Sequence, residues 1–268
     1  MDTRTLSVAA TLVAPPEDVF GILMSSAKHS ELTKAESIID TRVGGQFSYF
    51  GGGVSGVFKE LAPATRIVQE LRAADWPDGH HADVSYELAP LADGTRTHVK
   101  VLEQGVPTDH IEEVIQGWQG YWEAFATYLR DQRVNLVRRF IDEYKNKQNP
   151  DIVDDLVASD CAVHIALPGL PQGREGMRIN GRLVCGAFPD VHVTGEFLLT
   201  EGNIVIERAN AKATHKGELL GTPPTGKKVT WTELHAYRVQ GDKITEVWSE
   251  ADFMGMLAQI GAVQLPAG

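Results

Sequence analysis

A change of period near residue 105 constrains this chain more than any other feature. From Ile38 to Glu103 the sequence falls into short runs, Gln46–Phe50, Val54–Glu60, Arg66–Leu71, Asp83–Leu88 and Thr97–Glu103, separated by Gly, Pro and Asp. That spacing is the texture of antiparallel strands joined by turns. Beyond it Ile111, Ile115, Trp118, Trp122, Phe125 and Leu129 recur at intervals of three and four, the stripe of a helix laid on a sheet. Upstream, Leu6, Val8, Ala10 and Leu12 alternate as a strand does. Pro15-Pro16-Glu17-Asp18 then opens a short helix, because proline is tolerated in a first helical turn. The first half therefore reads as strand, short helix, antiparallel strands and long helix.

The second half repeats the theme with different parts. Val134, Val137, Ile141 and Tyr144 form another helical stripe, which Asn149-Pro150 stops. No Gly or Pro lies between Gly120 and Pro150, so the junction near Gln132–Arg133 is expected to be helical or bent, not a loose linker. The pattern then predicts a short helix (Ile152–Ala158), a strand (Ala162–Ala166) and a helix (Arg174–Phe188). Four strands follow near His192–Leu199, Ile204–His215, Lys228–Val239 and Lys243–Glu250, and a last helix spans Asp252 to Gly261. With 268 residues the chain has material for two α+β domains, 1–132 and 133–268.

Composition narrows the partners. Lys and Arg number 25 against 36 Asp and Glu, a formal net charge of −11. Such a surface is repelled by nucleic acid and by anionic lipid, so neither is an expected partner. The excess is uneven: residues 1–132 carry 10 basic and 19 acidic side chains, residues 133–268 carry 15 and 17. Cys161 and Cys185 are the two cysteines, too few for a disulfide framework, which suits a reducing cytoplasm. No apolar run has the length of a membrane span or of a secretory leader.

Two motifs are decoys. Gly51-Gly52-Gly53-Val54-Ser55-Gly56 fits G-x-G-x-x-G, but a strand-like segment follows where a dinucleotide fold needs a helix N-terminus, so it reads as a hairpin turn. Gly221-Thr222-Pro223-Pro224-Thr225-Gly226-Lys227-Lys228 nearly spells a phosphate-binding loop. Its prolines remove N–H donors and a strand follows, so it reads as a strand-to-strand loop.

The first half carries a resemblance. Val43-Gly44-Gly45-Gln46-Phe47-Ser48-Tyr49-Phe50-Gly51-Gly52, Val54-Ser55-Gly56, Leu61-Ala62-Pro63 with Ile67-Val68-Gln69, Trp76-Pro77-Asp78-Gly79-His80, Gly105-Val106-Pro107 and Gly117-Trp118 are similar to the C-terminal domain of the activator of the heat-shock-protein-90 ATPase. The match runs over about residues 5–131. It implies the START-like helix-grip fold, a curved antiparallel sheet around a long C-terminal helix, often with an apolar cavity between them.

The second half carries another. Thr214-His215-Lys216-Gly217-Glu218-Leu219-Leu220-Gly221-Thr222-Pro223-Pro224-Thr225-Gly226-Lys227, Gly241-Asp242-Lys243-Ile244-Thr245-Glu246-Val247-Trp248, Asp252 and Leu257-Ala258-Gln259-Ile260-Gly261 resemble the SnoaL-like polyketide cyclase (ester cyclase) family of the nuclear transport factor 2-like superfamily. This resemblance implies a ketosteroid-isomerase-like α+β cone with a deep pocket, often dimeric, closing rings by aldol chemistry without a cofactor. It puts the family's catalytic acid at Asp252.

Reading the residues themselves leads to the same half. Val229, Trp231, Glu233, His235, Tyr237 and Val239 share one face of a strand. A row mixing Trp, Glu, His and Tyr suits a cavity wall better than a dry core. Trp248, Glu250 and Asp252 share a parity on the next strand. Enolate chemistry needs a base beside the carbon acid and a donor beside the carbonyl oxygen, which Asp252 and His235 are candidates to supply. Trp231, Glu233, Tyr237, Trp248, His215 and His164 are candidates to line the site. Each has a plainer role: Asp252 as a helix N-cap, His235 as a hydrogen-bonded structural histidine, His215 as a turn residue, Glu233 as a sheet-edge charge and the aromatics as core. His164 has a parity that leaves it facing either way. No H-x-x-x-H or C-x-x-C spacing occurs, so no metal is expected, and no G-x-S-x-G elbow marks a serine hydrolase. The expected ligand is a hydrophobic or carbonyl-bearing small molecule, turned over by a cyclase or isomerase or simply bound. A chaperone-associated role through the first half is the remaining alternative.

Overall fold

The computed structural model describes residues 2–164 and 169–264. The chain divides into two compact units, Met1–Arg130 and Asp131–Gly268.

In the first unit β1 (Thr3–Leu12) leads to two short helices, α1 (Pro16–Leu23) and α2 (Ser26–Thr33), where the sequence pattern shows one. The strands β2 (Ile38–Ile39), β3 (Gln46–Tyr49), β4 (Val54–Ala62), β5 (Arg66–Ala73), β6 (Ala82–Pro90) and β7 (Thr97–Pro107) follow, and then α3 (Ile111–Phe140), whose residues to Arg130 belong to this unit. The seven strands form one antiparallel sheet in the order β1-β7-β6-β5-β4-β3-β2. Burial alternates along β6 and β7, with Val84, Val99 and Val101 fully enclosed. That inner face meets the α3 stripe, where Trp122, Phe125, Tyr128 and Leu129 are buried in the same apolar cluster. The glycine-rich decoy at Gly51–Gly56 is the β3–β4 turn running into the first residues of β4. Gly56 is required there for close approach: a Cβ would stand 2.0 Å from the Glu70 carbonyl oxygen and 2.7 Å from Phe47 Cζ.

The second unit starts in the rest of α3, which winds into a π-helical turn over Ile141–Asn146. The junction near Arg133 is thus helical. A short turn leads to α4 (Val153–Leu156), β8 (Val157–His164), α5 (Gly173–Ala187), β9 (His192–Glu201), β10 (Ile204–Thr214), β11 (Lys228–Gln240), β12 (Lys243–Ala251) and α6 (Phe253–Ile260). The helix expected over Ile152–Ala158 stops early because Val157 already pairs with Ile244 as strand. The expected strand Ala162–Ala166 is displaced upstream, and its last two residues lie outside the described part. The five strands form a sheet in the order β8-β12-β11-β10-β9, antiparallel except for the β12–β8 pair. The second decoy loop joins β10 to β11. Two apolar clusters fill this unit: one around Val137, Phe140, Tyr144 and Tyr237, the other around Phe188, Trp231, Met256 and Ile260. The unit is the α+β cone expected, and the first unit is the helix-grip expected.

Candidate functional site

Between the sheet and helices of the second unit lies a cavity of about 180 Å³. The odd positions of β11 form one wall, Trp231, Glu233, His235 and Tyr237 all lining it, as strand parity predicts. Val247, Ser249 and Ala251 of β12 extend that wall, and Phe140, Val184 and Met256 close it with apolar surface.

The polar part of this wall is one connected group. Glu233 Oε1 accepts from Trp231 Nε1 at 2.8 Å. Glu233 Oε2 accepts from His235 Nε2 at 2.9 Å and from Lys145 Nζ at 2.8 Å. Lys145 Nζ also donates to Glu207 Oε2 at 3.2 Å, an oxygen that accepts from Tyr237 Oη at 3.0 Å as well. Glu207 is 1% exposed and its Oε1 has no partner among the described residues. Glu207 stands directly across from His235 in the β10–β11 register.

This network sets the protonation states. Burial pushes the Glu233 carboxyl upward, but the Lys145 charge and the His235 hydrogen bond outweigh it and hold the group well below the usual carboxylate range. Burial likewise disfavours the Lys145 cation, yet the Glu233 and Glu207 carboxylates together raise its pKa above the ordinary lysine value. His235 goes the other way. Burial first, and the Lys145 charge second, lower it against the pull of Glu233. The site is therefore two carboxylates bridged by an ammonium, beside a neutral imidazole. Because Nε2–H is donated to Glu233, the Nδ1 atom of neutral His235 carries the free lone pair. No protein group pairs with Nδ1 among the described residues, and the ring lines the cavity. Lys145 has three N–H donors and uses two of them on carboxylates.

Four residues expected at the site are elsewhere. The β11–β12 register pairs Tyr237 with Val247 and Ala236 with Trp248, so Trp248 faces away from the cavity. It stacks on His164 at 5.5 Å and meets the Arg238 guanidinium at 5.4 Å. His164 pairs with Trp248 on the same outer face and hydrogen-bonds Glu246 at 3.0 Å. His215 is fully buried at the end of β10, its Nδ1 3.1 Å from Thr225 Oγ1 and its ring against Phe188. Asp252 lies beyond the end of β12, where strand parity no longer applies. It is exposed, and its Oδ1 accepts from Gly255 N at 2.9 Å as the N-cap of α6. Its neighbours Ala251 and Phe253 line the cavity and it does not.

Lys145 and Glu207 went unnoticed in the sequence. Lys145 hides in the polar run Lys145-Asn146-Lys147-Gln148-Asn149, and only the π-helical turn brings it inward; such turns recur at functional sites. Glu207 left a trace. The odd positions of β10 are Val205, Glu207, Ala209, Ala211 and Ala213, all buried, and one glutamate in that row is the signal of a paired internal charge.

An antiparallel sheet gripping a long helix, then a cone with a polar group beside an apolar cavity, defines a two-domain α+β protein. The comparisons make the assignment specific. Residues 13–130 match the family model described as activator of Hsp90 ATPase homolog 1-like protein, and residues 135–260 match the model of SnoaL-like polyketide cyclase. The chain is a fusion of those two kinds of domain. An activator of 90 kDa heat shock protein ATPase homolog from Dictyostelium discoideum is 30% identical over 118 residues, 44% of this chain and 30% of that protein. The human activator homolog 1 is 28% identical over 120 residues, 45% of this chain and 35% of that protein. This chain thus spans about a third of the length of these curated relatives. IdmH of Streptomyces antibioticus, a proposed polyketide cyclase, is 30% identical, with 48% of this chain and 99% of that chain covered at a TM-score of 0.43. Among the described residues no helix is long and apolar enough to cross a membrane.

Proposed function

We propose that the second unit is a cofactor-independent cyclase or isomerase acting on a carbonyl compound, with His235 as its base. The observation that carries this reading is the His235 Nε2–Glu233 Oε2 hydrogen bond of 2.9 Å. It fixes the imidazole tautomer and turns a basic Nδ1 toward a largely apolar cavity. In the reaction Nδ1 takes the proton from the carbon next to a bound carbonyl. The C–H electron pair moves into the carbon–carbon bond, and the carbonyl oxygen becomes an enolate. The third N–H of Lys145 is the donor for that oxygen, because Lys145 and His235 converge on the same Glu233 oxygen. The enolate then either attacks a second carbonyl of the same molecule, closing a ring as that C=O π bond opens to an alkoxide that takes the proton from His235, or, where a neighbouring C=C bond makes it a dienolate, recovers the proton from His235 at the far carbon. Glu233 holds and orients; Trp231 anchors Glu233 from the other side. Asp252 serves as a helix cap in this reading.

The test is deuterium exchange. Full-length protein is incubated in D2O with an enolisable aromatic ketone such as 2-tetralone, and α-proton loss is followed by NMR. Exchange faster than the buffer rate, lost in His235→Gln, supports the reading. Ketones that bind without accelerated exchange overturn it in favour of a binding protein, the second reading, which the apolar cavity wall supports. A chaperone-associated role rests on the names of relatives of the first unit and is tested by pull-down of an Hsp90-type ATPase.

A further inference from the structure

The first unit contains a cavity of its own, about 180 Å³, which the reading above does not use. Tyr49 of β3, Tyr86 of β6, Trp76, and Trp118 and Tyr121 of α3 line it. Tyr86 and Trp118 meet at 70°, and Trp118 and Tyr121 at 88°, so the rings stand as walls of a box and not as one stack. In their midst is the carboxylate of Glu103 on β7, a residue 3% exposed. Its Oε2 accepts from Trp118 Nε1 at 2.7 Å, and Oε1 has no protein partner among the described residues. Among the described residues neither Lys nor Arg lines the cavity. The one other ionisable base there, His29, spends Nδ1 on Ser37 Oγ at 2.8 Å and Nε2 on Tyr121 Oη at 3.0 Å. Burial holds it neutral, with a pKa pushed down to about 4. A buried carboxylate with no cation to pair is costly. Aromatic faces around it are an environment that attracts cations, and quaternary ammonium groups are the ligands such cages recognise.

We propose that this aromatic box with Glu103 in its wall binds an organic ammonium group of the trimethylammonium kind. The cavity is smaller than the roughly 300–1,000 Å³ of sites for drug-sized ligands, which matches a headgroup and not a whole lipid. Burial raises the Glu103 pKa, and a bound cation favours the ionised form; Glu103 then supplies the charge, Tyr86, Trp118 and Tyr121 supply the faces, and no covalent bond is made or broken in the ligand.

The experiment compares choline with its uncharged carbon isostere, 3,3-dimethyl-1-butanol, by calorimetry on the full chain. Choline is expected to bind at least about tenfold more tightly. Glu103→Gln, which can still accept from Trp118, removes the charge and keeps the faces, so it is expected to cut that preference several-fold while the alcohol binds as before. Tyr86→Leu removes one aromatic face from a buried position of the wall and is expected to weaken choline several-fold relative to the alcohol. Both substitutions lie in the first unit, so they separate the box from the cavity of the other unit. Equal affinity for choline and the alcohol, no binding of choline, or a preference unchanged in either variant overturns the proposal. If Glu103→Gln does not fold, the wild-type comparison and Tyr86→Leu decide it.

Discussion

His235 and Glu233 sit two residues apart on one face of β11, Nε2 2.9 Å from Oε2, with Lys145 on the same carboxylate oxygen at 2.8 Å. Each group sets the protonation of the next. The imidazole is kept neutral by burial and by the nearby ammonium, the carboxylate is kept ionised by both partners, and the lysine is kept charged by two carboxylates.

Removing the base should remove the chemistry. His235→Gln is expected to slow α-proton exchange by about 10²–10⁴-fold without loss of ketone affinity. In the wild type burial and the Lys145 charge hold the His235 pKa below its ordinary 6.5, so the acid limb of the exchange rate should lie at lower pH than a free imidazole would give. In Glu233→Gln the hydrogen-bond acceptor survives and the charge does not. Because Glu233 raises the His235 pKa, the acid limb of the pH–rate profile should move to still lower pH. A limb that moves upward contradicts the assignment.

Lys145→Met leaves Glu207 and Glu233 buried together without their cation. Breaking such a group from one side costs about 3–5 kcal/mol, read as a lowered urea midpoint at pH 7. The two proteins should respond to acid oppositely. The wild-type Glu233 pKa is depressed, so its contribution is present above the unfolded value of about 4.5 and is lost as pH falls through the folded value. In the variant the burial that pushes the Glu233 carboxyl upward no longer has the Lys145 charge against it, and lowering the pH should recover stability.

His29 makes the first unit acid-sensitive. Its pKa is pushed down to about 4 from 6.5 by burial, so the unfolded chain binds a proton between those values that the folded chain refuses. Stability from this residue is complete above pH 6.5 and declines as pH falls toward 4, by on the order of 3 kcal/mol. His29→Gln should narrow the difference between unfolding curves recorded at pH 7 and pH 4.5.

Gly56→Ala should destabilise the first unit by at least about 1–3 kcal/mol, because its Cβ collides with the Glu70 carbonyl across the sheet. Thermal unfolding followed by tryptophan fluorescence measures this. Trp248→Leu and His164→Ala, on the outer face of the second sheet, should leave ketone affinity within about twofold.

Much of the architecture was legible in residue order because it is written in local periodicity. Alternation placed the strands, the three-and-four stripe placed α3, and the parity of β11 put Trp231, Glu233, His235 and Tyr237 on one wall. Parity failed one strand later. Which face Trp248 takes depends on how β12 is registered against β11, and a shift of one residue inverts every side chain. That register follows from the Gln240–Lys243 turn and the irregularity between Arg238 and Val239, which composition does not encode. Asp252 failed for a related reason: its strand has ended, and the α6 N-cap has claimed its carboxylate.

Alone, then, the sequence determined two α+β units, most of their element order (α2 excepted) and the row of β11 residues that builds a polar wall, because backbone period and burial are properties of neighbours along the chain. Only the tertiary structure decided that Lys145 joins Glu207 to Glu233, that Glu233 holds the His235 ring, and that Glu103 is shut among aromatic rings without a cation. Apart from Glu233 and His235, two positions apart on one strand, those meetings bring together residues 15 to 88 positions apart, and charge pairing at that range is settled by packing in three dimensions.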